Sequence, residues 1–479
     1  MLRNFTISLF LLVCVATSAL AQQSSQSSGD SSSKTPSTSS SPKPLQADTP
    51  LYQGQEKKSD DSQAVETKSS PTYTSGLIEN PVEGGTPFKH PVLIPSLSFS
   101  QSLSSGQSSI GNGTIWKGGQ TAAGSLQFRW DVGRSGILAY NGTGLWTSST
   151  SDEAQTVQQL AYSQSVRFGR WKASFSDQAT YSPQSTFGFG GLQGVYGSSA
   201  LGSLGGIDFP STLVPGVEPS QTVLTTDADR VSNTTAGQLQ YSLTPRSSVR
   251  VGGSYGIIRG IDTALLDGNQ YSGNAGVDYR LSAANTVGLN YGYSVYSFPD
   301  SNEETKSQSA GVSFARRLSA RLSSQAYVGV QITDSSRTGG SVRNVGWGAS
   351  GYLNYTRTRN SVSLQFYHGA SGGSGVFQGA DTYSVSTSLS HALSPNSSVS
   401  VTGGYARNSS FFLTSQDTNT FFAGATANRR LGQYVSLYAS YTLQQQTLGG
   451  GALTTAFNGR QHMFSLGLSW GFRPIRLGS

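Results

Sequence analysis

The chain has 479 residues, of which 35% are hydrophobic and only 12% are charged, and its formal net charge is +7. A soluble protein of this size carries roughly twice that charged fraction, so the composition argues against a large soluble domain. The single cysteine, Cys14, excludes an intramolecular disulfide and a cysteine-ligated metal site. A basic chain can bind nucleic acid, but we find no basic stripe on a helical segment and predict no such partner.

The N-terminus has the pattern of an export signal. Arg3 precedes a short apolar run, Ile7–Ala16, and small residues stand at Ala19 and Ala21. The apolar run is shorter than the ~20 residues that a membrane-spanning helix needs. We therefore predict a secretory signal peptide over residues 1–21, cleaved after Ala21.

Residues 22–90 are rich in Ser, Thr, Pro, Gln and Lys. Such a segment buries too little apolar surface to offset the conformational entropy lost on ordering. We predict a disordered periplasmic tether here. Contact with peptidoglycan, or a plug for a pore, are the functional alternatives.

From residue 91 onward the pattern changes to alternation with period two, which indicates β-strands. Between Val287 and Val295, for example, large apolar or aromatic residues alternate with Gly, Asn and Ser. Short turns alternate with longer polar connections along the chain. This spacing predicts roughly sixteen to eighteen strands of about 10–14 residues. The first strand, about Val92–Leu103, is interrupted by Pro95, which cannot donate to a ladder.

Strands of this length suit a membrane. A strand tilted at about 45° crosses a bilayer in ~9–11 residues. A closed barrel pairs every backbone group within the protein, and its side chains then alternate between lipid and lumen. A soluble β-sandwich or a propeller would also alternate, but here the second face is mostly Gly, Ser and Tyr. We predict an all-β, antiparallel, up-and-down transmembrane β-barrel over residues 91–479.

The last predicted strand reads FSLGLSWGF, from Phe464 to Phe472. Its large residues are predicted to face lipid, and its small ones the lumen. Over residues 91–472 the chain resembles bacterial outer-membrane β-barrel proteins of the porin-like kind. The resemblance implies that the barrel-assembly machinery reads the final strand, and the matching positions are Ser465, Gly467, Trp470 and Phe472. Family members commonly end at the final aromatic residue, whereas RPIRLGS follows here.

The resemblance also implies periplasmic termini, periplasmic short turns and extracellular long connections. Arginines such as Arg246, Arg321 and Arg359 then concentrate at the periplasmic side, and acids such as Asp300 and Asp334 at the outer side. Arginines at that depth reach lipid phosphates, and the acids keep the loops solvated or bind divalent ions. The alternative is a cationic funnel that attracts anionic solutes or polymer.

The longest connection, Tyr181–Asp227, is too apolar for a freely solvated loop. Loops of this length without regular structure are usually functional or disordered. General porins fold their third external loop inward, and the resemblance implies the same constriction here. Asp208 and Glu218 would then face the wall residues Arg129 and Arg250. The alternative is a loop packed on top of the barrel or against a neighbouring protomer.

We predict an outer-membrane channel for passive diffusion of small hydrophilic solutes, with no cofactor and no catalysis. The implied partners are outer-membrane lipids, the assembly machinery and small solutes, and a homo-oligomer is left open. The barrel component of a surface polysaccharide exporter is an alternative, which would need a separate periplasmic partner. A lipid-modifying enzyme is another alternative: His368 and Ser371 lie three residues apart, but the His-x-Ser spacing of such enzymes is absent. The scattered histidines predict no metal site.

Overall fold

The computed structural model describes residues 91–107, 114–131, 134–147, 155–182, 223, 229–261, 267–337, 340–372, 377, 379–411, 417–449 and 458–477. The predicted signal peptide and tether, and most of the predicted constriction loop with Asp208 and Glu218, lie outside these residues. The described chain forms eighteen long strands and a two-residue nineteenth. No helix within these ranges is long and apolar enough to cross a membrane.

The strands follow one another in chain order. Their bounds are β1 Val92–Gln107, β2 Thr114–Asp131, β3 Arg134–Thr147, β4 Gln155–Phe168, β5 Trp171–Ser182, β6 Arg230–Ser242, β7 Ser247–Gly260, β8 Gly268–Arg280, β9 Asn285–Phe298, β10 Glu303–Ser319, β11 Leu322–Arg337, β12 Gly340–Arg357, β13 Asn360–Ser371, β14 Ala380–Ser394, β15 Ser397–Ser410, β16 Asp417–Arg430, β17 Val435–Gly449, β18 Gly459–Gly471 and β19 Ile475–Arg476.

Each long strand pairs antiparallel with its sequence neighbours, and β1 also pairs with β18. The closing ladder runs from Ser96 opposite Gly471 to Ser105 opposite His462. The sheet is therefore a closed up-and-down barrel without a continuous edge, as predicted, and its strand count is the upper end of the predicted range. We call the end that carries Pro91 and Phe472 the turn end, and the opposite one the loop end.

The two faces of the wall differ in the way a membrane requires. On β18, Leu466 is 57% exposed on the outer face and Ser469 is 4% exposed on the inner face. The same alternation continues on β1, where Leu97 and Phe99 point outward and Ser98 points inward. An apolar exterior with a polar interior is the inverse of a soluble sandwich, so the alternation confirms the predicted transmembrane barrel.

Several turns share one local device. Each begins with a hydroxyl residue that accepts a hydrogen bond from the backbone N–H two residues later, as in Ser282 with Ala284 at 3.2 Å and Ser394 with Asn396 at 3.2 Å. Thr244 and Ser319 do the same at their turns. A side-chain acceptor that satisfies the turn backbone explains why short Ser/Thr-led connections suffice at this end.

Two predicted features need correction. Seven of the eighteen long strands have 15 to 18 residues, longer than predicted, and the other eleven have 12 to 14 residues, within the predicted range. Asp334, which was assigned to an outer connection, lies in the stretch Thr333–Arg337 that continues the β11–β12 ladder, so only residues 338 and 339 connect those strands. Polarity does not end a strand when ladder hydrogen bonds continue. The alternation of short and long connections therefore fails at this hairpin and at the β9–β10 hairpin.

The way the C-terminal strands pair with β1 explains why β1 tolerates Pro95. The backbone N–H of Phe472 donates to the carbonyl of Pro95 at 3.1 Å, so Pro95 directs its backbone groups toward the C-terminal strands. Proline has no backbone N–H to donate. At Pro95 none is needed, because the pairing of β1 with β18 begins at Ser96 and its pairing with β19 involves Val92 and Leu93. The N–H of Leu477 then donates to the carbonyl of Pro91 at 2.9 Å. The extension beyond Phe472 thus continues the closing ladder, and β1 tolerates its proline.

Candidate functional site

The candidate site is the inner wall of the barrel. Its buried side chains are mostly small and polar, with Gln127, Asn141 and Thr143 on β2 and β3 and a row of Ser and Thr on β9 to β16. Such a surface hydrogen-bonds to water and to polar solutes without specific chemistry. The charges on it decide which solutes it favours.

A hydrogen-bonded charge network crosses four strands of this wall. Arg250 on β7 places Nη2 3.2 Å from Oδ1 of Asp278 on β8. The same guanidinium donates to the side-chain oxygen of Asn290 on β9, and the amide of Asn290 donates to Ser313 Oγ on β10 at 2.8 Å. All four residues point inward, and the ion pair is largely buried.

Two glycines allow this network to lie flat. A Cβ on Gly276 would come 3.1 Å from Nε of Arg250 and 2.6 Å from Oδ1 of Asn290. A Cβ on Gly288 would come 2.7 Å from Ser313 Oγ and would also collide with the Asp278 carboxylate. The glycines therefore leave the space that the long polar side chains occupy against the wall.

The structure places both predicted wall arginines on the inner face. Arg129 lies near the turn end of β2, is 4% exposed, and donates from Nε to Oε1 of Gln127 at 2.8 Å. Arg250 lies near the turn end of β7. The two arginines lie on strands that are not neighbours in the sheet. Their pairing with Asp208 and Glu218 stays a prediction.

Arg230, at the loop end of β6, was missed by the sequence reading. It is 2% exposed, and within the described part of the chain its two terminal nitrogens have no hydrogen-bond partner. With Arg129 and Arg250 it makes three buried arginines on the wall, against the two acids Asp278 and Glu303. The alternating pattern predicts which residues of a strand face inward. It does not predict where β6 begins, and Arg230 is placed on the inner face only because it is the first residue of that strand.

The stretch that contains the β13–β14 connection lies close to β9 and β10 at its described residues. It reads GASGGSGVFQG from Gly369, and a Cβ on its Gly372 would lie 3.1 Å from the ring of Tyr296 on β9. Gly379, with φ +103°, sits beside Thr305 of β10, and Phe377 is almost fully buried. The described residues Gly372 and Gly379 therefore lie against the inner-face residues Tyr296 of β9 and Thr305 of β10. The glycine-rich sequence is the signal that could have revealed it, since close backbone approach favours glycine.

His368 lies on the outer face of β13 and is buried there. Its ring sits between Trp347, with centroids 4.1 Å apart, and Tyr383, with centroids 3.9 Å apart. Asp381 provides an acidic partner that the sequence did not reveal, with Oδ1 3.4 Å from Nε2. Ser371 points to the inner face instead and bonds to Thr382 at 2.6 Å. His368 and Ser371 are therefore on opposite faces of the wall.

Charges sort by end as predicted, with one correction. Arg246, Arg321 and Arg359 are exposed at the turn end. At the loop end, however, acids on the strand extensions pair with cations instead of standing free: Asp417 with Arg407 at 2.7 Å and Asp334 with Arg343 at 3.4 Å. Exposed pairs of this kind contribute little stability. Among the described residues no cluster of His, Cys, Asp or Glu could hold a metal ion.

A closed wall with an apolar exterior and a polar, charged interior defines a transmembrane up-and-down β-barrel. No model of a known protein family matches the chain, and no curated protein sequence matches it.

Solved outer-membrane barrels are similar to it at low identity. Pseudomonas aeruginosa OccK2 (OpdF) is 11% identical, with 80% of this chain and 98% of that chain covered and a TM-score of 0.40. P. aeruginosa OpdK with vanillate is 10% identical, with 79% and 98% covered and a TM-score of 0.39. Acinetobacter baumannii OccAB3 is 10% identical, with 79% and 99% covered and a TM-score of 0.36.

Proposed function

We propose that the protein is an outer-membrane channel through which small hydrophilic solutes diffuse passively. The observation that carries the proposal is the inner wall itself: a closed ring of eighteen strands lined by Ser, Thr, Asn, Gln and a flat charge network. An eighteen-stranded barrel is wide enough for an aqueous path unless segments fold into it. Width and fixed charge, rather than chemistry, then set selectivity.

The constriction is part of the proposal. Asp208 and Glu218 on the long connection after β5 would face Arg129 and Arg250, which the wall presents inward. The buried arginines outnumber the buried acids on the described wall, so small anions are the favoured class of solute. Outer-membrane lipids would surround the apolar band, and the assembly machinery would read Ser465, Gly467, Trp470 and Phe472.

A non-enzymatic role is proposed with it. A lipid-modifying site built on His368 would need a nucleophile on the same face. The described wall places Ser371 on the other face, and His368 is enclosed by Trp347 and Tyr383. The geometry therefore favours a structural role for this histidine.

Liposome swelling tests the proposal. Protein refolded into liposomes is diluted into isosmotic arabinose, glucose, sucrose or raffinose, and swelling is followed by light scattering. We expect rates that fall as the sugar grows, and faster entry of glucuronate than of glucose, because the two differ mainly in the carboxylate. Protein-free liposomes and heat-denatured protein are the controls. No swelling in any sugar by a barrel with folded, heat-modifiable mobility would contradict passive diffusion.

A further inference from the structure

At the loop end, strand β12 extends beyond its neighbour β13. The last pair between β12 and β13 joins Ala349 to His368. Above it, β12 continues through the stretch Gly340–Gly348, which pairs with β11 on one side only. We call this stretch the β12 edge. Residues 340–347 are all exposed.

The direction of the ladder shows which groups are free. The N–H of Thr356 donates toward β11, to the carbonyl of Arg321 at 2.8 Å. The β11–β12 register has no shift, so even-numbered residues of β12 face β11 and odd-numbered ones face the other way. Within the β12 edge the outward-directed backbone N–H and C=O groups therefore belong to Ser341, Arg343, Val345 and Trp347.

The β12 edge lacks the features that protect natural edges. Such strands are usually short, bulged, or blocked by Lys or Pro. Here there is no bulge, no lysine and no proline, and Asp334 lies 3.4 Å from the one charged residue, Arg343. Val342, Val345 and Trp347 are each more than half exposed.

The end of β13 is satisfied without β12. The N–H of Ala370 donates to Oε1 of Gln331 on β11 at 3.3 Å, across the space that Gly348 leaves open. Trp347 packs on His368 at the base of the opening. Side chains therefore occupy the space between the two strands, and among the residues that the structure describes no strand pairs with the β12 edge on this side.

We propose that the β12 edge binds an extended polypeptide strand from another protein by strand addition. The free N–H and C=O groups repeat at every second residue, at roughly 7 Å, and an extended peptide backbone matches that spacing. A Cβ built on Gly340 or Gly346 meets no atom within 4 Å, so bulky side chains of the partner fit on that face. Val345 and Trp347 favour apolar partner residues on the other face. The ligand class is a strand with aromatic or branched residues, independent of solute transport.

Val345→Pro tests the proposal directly. The substitution removes one free N–H and fills the approach path, while the ladder to β11 is kept because Val345 does not donate to it. Val345→Thr is the matched control, since it keeps the N–H and the side-chain shape. Val345→Lys is a second blocking variant that keeps the backbone donor and adds a protecting charge.

The probe is a displayed library of extended peptides of about nine residues, panned on the refolded barrel in lipid nanodiscs. Binding of the selected peptides is measured by fluorescence anisotropy. We expect Val345→Pro and Val345→Lys to weaken binding at least about tenfold, and Val345→Thr to leave it within about twofold. The proposal is overturned if the wild type selects no peptide, or if the selected peptides bind the two blocking variants as well as the wild type. Heat-modifiable mobility establishes that each variant is folded.

Discussion

Arg250 and Asp278 form an ion pair on the inner wall, with Nη2 and Oδ1 3.2 Å apart and both side chains largely buried. Asn290 shares the guanidinium, so the pair is part of the wall and not a free charge in the pore. Removing one partner leaves the other charge uncompensated. The pair is locally neutral, so replacing Asp278 leaves a positive charge on the wall and replacing Arg250 leaves a negative one.

Asp278→Asn is expected to increase preference for anions, because Arg250 then stands without its carboxylate. Arg250→Gln is expected to shift the preference toward cations. Reversal potentials of single channels in a salt gradient measure both effects. Arg407→Gln is the control, since Arg407 pairs with Asp417 on the outer face and lies outside the ion path. Equal shifts of the reversal potential in Arg250→Gln and Arg407→Gln would contradict the placement of Arg250 in the ion path and of Arg407 outside it.

Deletion of residues 184–222 tests the constriction. The cut leaves the described strands β5 and β6 and the buried Arg230 in place. If the connection narrows the lumen, conductance increases on deletion. Unchanged conductance of a folded variant would place the connection outside the ion path.

Gly467→Ala should impair folding of the closing strands. A Cβ at this position would come 2.5 Å from the ring of Tyr438, 2.5 Å from the carbonyl oxygen of Phe99 and 2.6 Å from Cβ of Ser100. We expect a sharply reduced refolding yield, followed as heat-modifiable mobility in electrophoresis. Gly471→Ala is the matched control, because no atom lies within 4 Å of the corresponding Cβ.

Refolding in detergent needs no assembly machinery, so this experiment separates packing from recognition. Loss of folding in vitro means that the glycine of the predicted assembly signal is required by Tyr438 and the β1 backbone. Normal refolding of Gly467→Ala would show instead that the site adapts, and that the glycine matters only for recognition.

Truncation after Phe472 should destabilise the barrel closure. It removes β19, its pairing with Val92 and Leu93, and the bond from Leu477 to Pro91. Each backbone hydrogen bond contributes about 1 kcal/mol net. Losing the Leu477–Pro91 bond together with the β1–β19 pairing is therefore expected to lower the free energy of unfolding by about 2 kcal/mol. The urea midpoint measures it. A truncated protein as stable as the full chain would show that the extension adds no closure strength.

Alternating residues predicted most of this fold. The period-two pattern identified the strands, the closed barrel and the two faces of β18, because lipid and lumen impose opposite polarity on neighbouring residues. It could not identify features that depend on register between distant residues. Asp381 reaches His368 only because of the particular register in which β13 and β14 pair. The β12 edge exists only because β12 extends beyond the end of its pairing with β13. Arg129 and Arg250 were predictable as wall residues, whereas the network around Arg250 depends on glycines in neighbouring strands.

Single-channel conductance of the refolded protein in a planar bilayer, with a salt gradient across it, is the most direct test. A continuous polar lumen predicts steady conductance steps, and the excess of buried arginines predicts a reversal potential of anionic sign. A folded barrel that gives no steps would contradict the channel and would turn attention to polymer export. Steps with a clear cation preference would keep the pore but contradict the role assigned to Arg129, Arg230 and Arg250.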